Sequence, residues 1–327
     1  TVKQHASLFD LDGVPKMSQA IPLALQHVVA MIVGCVTPAI LISGAAGIDT
    51  ADRVLLIQAS LVVSALATLL QLFPIGNKNS FHLGAGLPVI VGLTIKKIRK
   101  FFPPLIAGTV VFTIGLSLYP TAINYMAGGA GQPTYGAWQN WVVAIFTLGV
   151  VTVLNHFAKG FLKLASILMG MIAGYIFSMF FGMVSFGNVA ESGMFQLPQV
   201  MHFGISFEAS ACVALGLLFV INSVQAIGDF SATTAGGLDR EPTTNELHGA
   251  ILGYGFSNII GAFLGCLPTA TYSQNVGIVA TTKVVNRVTL GLSALIILVA
   301  GLFPKFSALL TTIPYAVLGG ATVSVFA

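Results

Sequence analysis

The sequence predicts an all-α polytopic membrane protein, on three observations. Only 24 of the 327 residues are charged, 7% of the chain, where a soluble globular chain carries about 25%. Hydrophobic residues make up 56% and the mean hydropathy is +0.92, which leaves too little polar surface to wet a soluble fold. Apolar runs long enough to cross a bilayer recur along the whole chain. The same numbers exclude a disordered chain. With three cysteines, Cys35, Cys212 and Cys266, all in apolar runs, a disulfide scaffold is excluded too. The net charge of +4 does not point to nucleic acid, because the basic residues form no stripe with interleaved aromatics.

Taken in order, the runs predict spanning helices at 21–43, 53–74, 101–123, 139–157, 161–185, 207–228, 248–267, 286–303 and 306–327, since about 20 apolar residues cover the hydrocarbon core. The polar stretch Thr1–Ser18, with Asp10 and Asp12, lacks the basic, apolar and small-residue order of a signal peptide. Two further apolar runs are too short to span. Phe81–Ile95 is broken by Gly84, Gly86, Pro88 and Gly92, and Val276–Thr282 follows Pro268. Paired short segments of this kind mark the discontinuous helices of secondary transporters, whose half-helix ends and unpaired backbone hold a polar solute at midplane. A kinked helix or a re-entrant loop without a ligand would look the same.

Topology singles out the first of these segments. With the N-terminus inside, a single crossing by 81–95 would put the cluster Lys96, Lys97, Arg99 and Lys100 outside. If 81–95 does not cross, or if a further helix is absent after it, and the second short segment crosses, every basic residue except Arg53 and Lys305 lies inside. The positive-inside rule strongly prefers the second arrangement. Tyr125, Tyr135, Trp138 and Trp141 read as an interfacial belt, while His82 and His156 carry no pattern.

The most specific stretch runs Thr269-Ala-Thr-Tyr272-Ser-Gln274-Asn275-Val-Gly277-Ile-Val-Ala-Thr-Thr282-Lys283. It resembles the signature of the nucleobase–ascorbate transporter family: Gln or Glu, Asn, any residue, Gly, four residues, Thr, then Lys, Arg or Gly. Gln26-His27 resembles the family's Gln-His pair in the first helix, and Gln225-Ala-Ile-Gly228-Asp229 its Glu-x-x-Gly-Asp motif in the eighth. The resemblance covers almost the whole chain. It implies fourteen segments in two inverted repeats of seven, forming a core and a gate domain with two short broken segments at midplane. On that plan 1–95 and 207–303 are core, 101–185 is gate, and 306–327 is an incomplete part of the gate. It also implies uptake of uracil, xanthine, uric acid or a related base, usually with protons.

The chain departs from this pattern in three ways. Leu93-Thr94-Ile95 runs straight into Lys96 where the family continues with a fourth helix, so about one helix is expected to be missing after residue 92. Two more gate helices would follow Ala327. Gln225 stands where many members have a substrate-binding Glu, and Tyr254 where the ninth helix carries an Asp, which leaves Asp229 as the remaining proton carrier and His27 as its aid.

The residue chemistry suits a base. A carboxamide presents a donor and an acceptor in one plane, so Gln274 can pair bidentately with a xanthine or uric acid edge, beside Asn275 and the free N–H groups of a half-helix. Gln225 would add a second amide from the facing helix. Tyr272 offers a ring for stacking, and Gly277 allows close backbone approach. By resemblance, Gln at 274 leans towards xanthine or uric acid over uracil, and Thr282 and Lys283 close the motif. Blander readings exist: Gln225 as a bond between helices, His27 as a structural donor, and Asp229 as a cap at the inner end of its span. Enzyme patterns such as His-x-x-x-His, Cys-x-x-Cys or Gly-x-Ser-x-Gly are absent from the sequence, and an asymmetric polar set argues against a channel. The expectation is a proton- or cation-coupled purine carrier in the plasma membrane, N-terminus cytoplasmic and dimeric by resemblance, with no cofactor, metal or nucleic acid.

Overall fold

A computed structural model describes residues 9–73, 109, 116, 119–159 and 161–326. The expectations for 81–95, for the basic cluster at 96–100 and for the junction at Gly92–Leu93 lie outside these residues, as does most of 101–123.

Among the described residues every regular element is an α-helix. Helix α1 (Met17–Ala45) and α2 (Thr50–Leu72) are joined by a short turn. Gly47 ends α1 with φ +65°, the left-handed conformation that glycine adopts at no steric cost. Asp49 starts α2 by accepting a 2.8 Å hydrogen bond from the Asp52 amide. Then come α3 (Trp138–Phe157), α4 (Phe161–Leu164), α5 (Ser166–Met179) and α6 (Gly187–Glu191). The second half holds α7 (Ala209–Leu238), α8 (Thr244–Phe263), α9 (Ser273–Thr282), α10 (Arg287–Gly301), α11 (Pro304–Thr311) and α12 (Tyr315–Phe326). By length and composition α1, α2, α3 and α7 can each cross a membrane.

Four expectations are corrected. The run at 207–228 continues as helix to Leu238, so Asp229 lies about two and a half turns inside α7 and does not cap its end. The span at 306–327 is two helices, because Pro314 cannot continue the hydrogen-bond ladder of α11. The span at 161–185 is interrupted at Ala165 and its helix ends at Met179. Tyr125 is no belt residue: it is 8% exposed and its hydroxyl donates to the Leu41 carbonyl at 2.7 Å, whereas Tyr135 and Trp138 are exposed.

The chain divides into two compact units. One comprises 1–31, 59–111 and 197–302, the other 32–58, 112–196 and 303–327. In the second, small residues set how closely helices approach, as expected where lipid supplies no hydrophobic drive between them. A Cβ at Gly320 of α12 would lie 2.2 Å from the Ala144 carbonyl of α3, and one at Gly174 of α5 would lie 2.0 Å from Thr147 Oγ1.

The first unit is built on the same device. A Cβ at Gly237 of α7 would lie 2.3 Å from Val285 and 2.8 Å from Val279, so this glycine lets α9 pack against α7. The starts of its later helices are well specified. Thr243 and Glu246 form a reciprocal capping box on α8. Asn286 caps α10 through the Thr289 amide at 3.1 Å. Its Nδ2 donates to the Asp10 and Gly13 carbonyls at 2.9 and 2.6 Å. Arg287 adds an ion pair with Asp12, so residues 10–13 are held on the head of α10.

Candidate functional site

The site begins with a short helix. Helix α9 has 10 residues, which is about 15 Å of rise, half a bilayer core. Residues 267–272 before it are not helical. Backbone leaving a helix inside a membrane must find polar partners within the protein, and here it does. The Thr269 amide donates to Asn258 Oδ1 at 2.8 Å, and its carbonyl accepts from the Tyr254 hydroxyl at 2.7 Å. Asn258, one turn after Tyr254 on α8, is itself fixed by a 3.0 Å bond from its Nδ2 to the Tyr254 carbonyl. Thr271 Oγ1 donates to Asp229 Oδ2 of α7. The Tyr272 and Ser64 hydroxyls share a hydrogen bond of 2.7 Å, which joins the segment to α2.

These contacts frame a cavity of about 350 Å³ within the first unit, in the size range of small-molecule sites. Its polar lining comes from every side: His27 on α1, Gln71 on α2, Asp229 on α7, Tyr254 on α8, and Tyr272 and Asn275 at the head of α9. Met31, Phe230, Val276 and Val279 supply apolar wall. His27 is 2% exposed and lines the cavity together with Asn275. Asn275 Oδ1 is buried with no hydrogen bond among the described residues. Such an acceptor costs about 1–3 kcal/mol unless something in the cavity satisfies it.

The structure therefore brings His27, Asp229, Tyr272 and Asn275 to one cavity. Gln225 is half-buried one turn before Asp229 and is not among the lining side chains. Gly277 is not among the lining residues, and among the described residues a Cβ there would meet open space rather than a neighbouring element. The Gln274 backbone is in the first turn of α9, and its side chain lies outside the described residues. Thr282 and Lys283 end the half-helix. Thr282 Oγ1 donates to the Ile278 carbonyl at 2.8 Å. Lys283 adopts φ +59° and pairs with Asp239 Oδ1 at 2.7 Å, on the exposed surface.

Sequence reading missed the α2 face. Ser64, Thr68 and Gln71 all line the cavity, and their spacing of four and three residues in an apolar helix is a polar stripe open to detection. Gln71 Nε2 donates to the Ala250 carbonyl at 2.8 Å, tying α2 to α8.

Comparison with known proteins adds the lineage. The family model described as "Permease family", covering xanthine and uracil permeases, matches residues 18–95 and 83–327. The xanthine permease of Bacillus subtilis (strain 168) is 31% identical over 94% of this chain and 77% of its own length. The uric acid permease PucK of the same organism is 31% identical over 94% of this chain and 79% of its own. The xanthine permease XanP of Escherichia coli (strain K12) is 29% identical over 98% and 79%. That last alignment runs over 368 positions, more than the 327 residues present here, so XanP carries stretches with no counterpart in this chain. Among solved structures, the transmembrane domain of a cyanobacterium bicarbonate transporter BicA superposes with a TM-score of 0.49 at 19% identity, over 95% of this chain and 84% of that one.

Proposed function

The chain belongs to the permease family of xanthine and uracil carriers, the nucleobase–ascorbate transporters, and from that membership we propose that it takes up a purine base, xanthine or uric acid, by symport with protons. It is a multi-pass membrane protein and a permease, not an enzyme. The observation that carries the substrate reading is the cavity at the head of α9, where amide, hydroxyl, imidazole and carboxylate groups converge on one small space.

In this reading the base enters with its polar edge towards the start of α9. Asn275 Oδ1, left without a partner among the described residues, accepts a ring N–H. Gln274, the preceding residue, supplies the in-plane donor and acceptor pair. The Tyr272 ring, held by the hydroxyl bond to Ser64, stacks on the base. Asp229 and His27 carry the coupling proton, the one acid and one imidazole among the described lining residues, as intramembrane ionisable groups do by default. Gln225 extends the Asp229 face by one turn towards the start of α7.

The expected wider arrangement goes with it. Residues 1–95 and 207–303 form a core domain and 101–185 with 306–327 part of a gate, in a dimer in the cell membrane with the N-terminus cytoplasmic. The family model matches the chain in two stretches, 18–95 and 83–327, that meet in this region, which supports about one helix being absent after residue 92.

The substrate reading is tested by uptake of labelled xanthine into proteoliposomes under an inward proton gradient. Uptake is expected to saturate and to be competed by unlabelled xanthine and uric acid, with uracil much weaker. Competition by uracil at concentrations as low as xanthine would move the specificity to the pyrimidine side.

A further inference from the structure

We propose that Thr271 is a positioning residue that reports the charge of Asp229 to the substrate-binding end of α9; the proposal rests on the reading of Asp229 as the proton carrier. The nonhelical segment 267–272 is held to its surroundings by side chains from three helices. Asn258 and Tyr254 of α8 hold Thr269, Ser64 of α2 holds Tyr272, and Asp229 of α7 holds Thr271. The amide and serine anchors are neutral across the physiological range, and the Tyr254 phenol donates in its neutral form. The fourth changes strength with proton occupancy. A hydroxyl donated to a carboxylate makes a hydrogen bond roughly twice as strong as one donated to a neutral group. Proton binding to Asp229 therefore weakens the hold on Thr271, one residue before Tyr272 and four before Asn275.

Asp229 lines the cavity. Across the cavity it faces the titratable side chains His27 of α1, Tyr254 of α8 and Tyr272 of the nonhelical segment, and no lysine, arginine or second carboxylate lines the space among the described residues. Thr271 is the cavity residue on the substrate segment that donates directly to the carboxylate. The coupling needs no long path: the acid accepts directly from the Thr271 hydroxyl, and the base-binding residues follow Thr271 within four positions.

The test uses initial rates of labelled-xanthine uptake by the full chain in proteoliposomes, measured against external pH. Thr271→Val keeps the shape and removes the hydroxyl. Its ratio of acid to alkaline uptake is expected to fall roughly tenfold towards one, the change that losing a charge-assisted hydrogen bond produces. Thr271→Ser, which restores the donor, is expected to restore the wild-type profile, an effect that loss of packing alone would not give. Added to Asp229→Asn, Thr271→Val should change the profile no further. If Thr271→Val fails to insert, Thr271→Ala is judged by the same ratio. A wild-type profile in the hydroxyl-less variant, where Asp229→Asn has lost its pH dependence, overturns the role of Thr271 and leaves Asp229 as carrier. A pH dependence that survives Asp229→Asn itself removes the carrier reading, and the role of Thr271 with it.

Discussion

Asp229→Asn is expected to abolish accumulation of labelled xanthine against a gradient while base binding survives. The side chain lies well inside α7, lines the cavity, and accepts a hydrogen bond from Thr271. A carboxylate in a membrane segment is costly to maintain without a function or a partner. The amide of the variant has the same shape and still presents an oxygen to Thr271, so the local fold has what it needs. What it cannot do is take up and release a proton. Exchange of xanthine across the membrane without a gradient should therefore persist, and net accumulation and its pH dependence should both be lost. The check is paired counterflow and gradient-driven uptake in proteoliposomes. Gradient-driven accumulation with an unchanged pH profile would leave Asp229 as a structural acceptor for Thr271 and nothing more.

Gln274→Ala is expected to abolish saturable uptake while the protein still inserts and folds. Position 274 lies in the first turn of the half-helix directly before Asn275, where the chain has just left the nonhelical segment. A carboxamide there can meet both a donor and an acceptor of a purine edge. Its removal leaves those two groups of the bound base unpaired, at roughly 1–3 kcal/mol each, which is about 1.5 to 4 orders of magnitude in apparent affinity. Gln274→Glu keeps the size but presents acceptors only when ionised, so it should impair xanthine and shift the order of competing bases. Detergent-solubilised protein with an unchanged elution profile, together with uptake at background, is the expected pair of results. Near-normal apparent affinity would remove Gln274 from the site.

The ends of α1, α2 and α3 fall within a few residues of the sequence expectation because bilayer thickness dictates the length of a lipid-facing apolar run. Helix α7 overran its expected end because Asp229, Ser231, Thr233 and Thr234 end the apolar run without ending the helix. Those side chains are partly buried within the protein or line the cavity, so hydropathy understates a helix that faces a polar interior. Pro314, which divides the last expected span, was in plain view as a helix breaker. The interruption at Ala165 has no comparable mark.

At the site, His27, Asp229, Tyr272 and Asn275 were visible because two motifs and a pair named them, and the fold gathers them. Ser64, Thr68 and Gln71 were visible only as spacing in an ordinary apolar helix. Thr271 and Asn258 were not legible at all. Their importance lies in partners 42 and 11 residues away, and only the folded chain shows which serine, threonine or asparagine ends beside an acid or an orphaned amide.

The most direct test of the whole account is a structure of the protein with xanthine bound. The base is expected in the cavity of the first unit, one face against Tyr272 and its polar edge on the Gln274 and Asn275 side chains, with Asp229 close by. Xanthine bound elsewhere, with Asn275 Oδ1 still lacking a partner and the cavity holding only water, would contradict it.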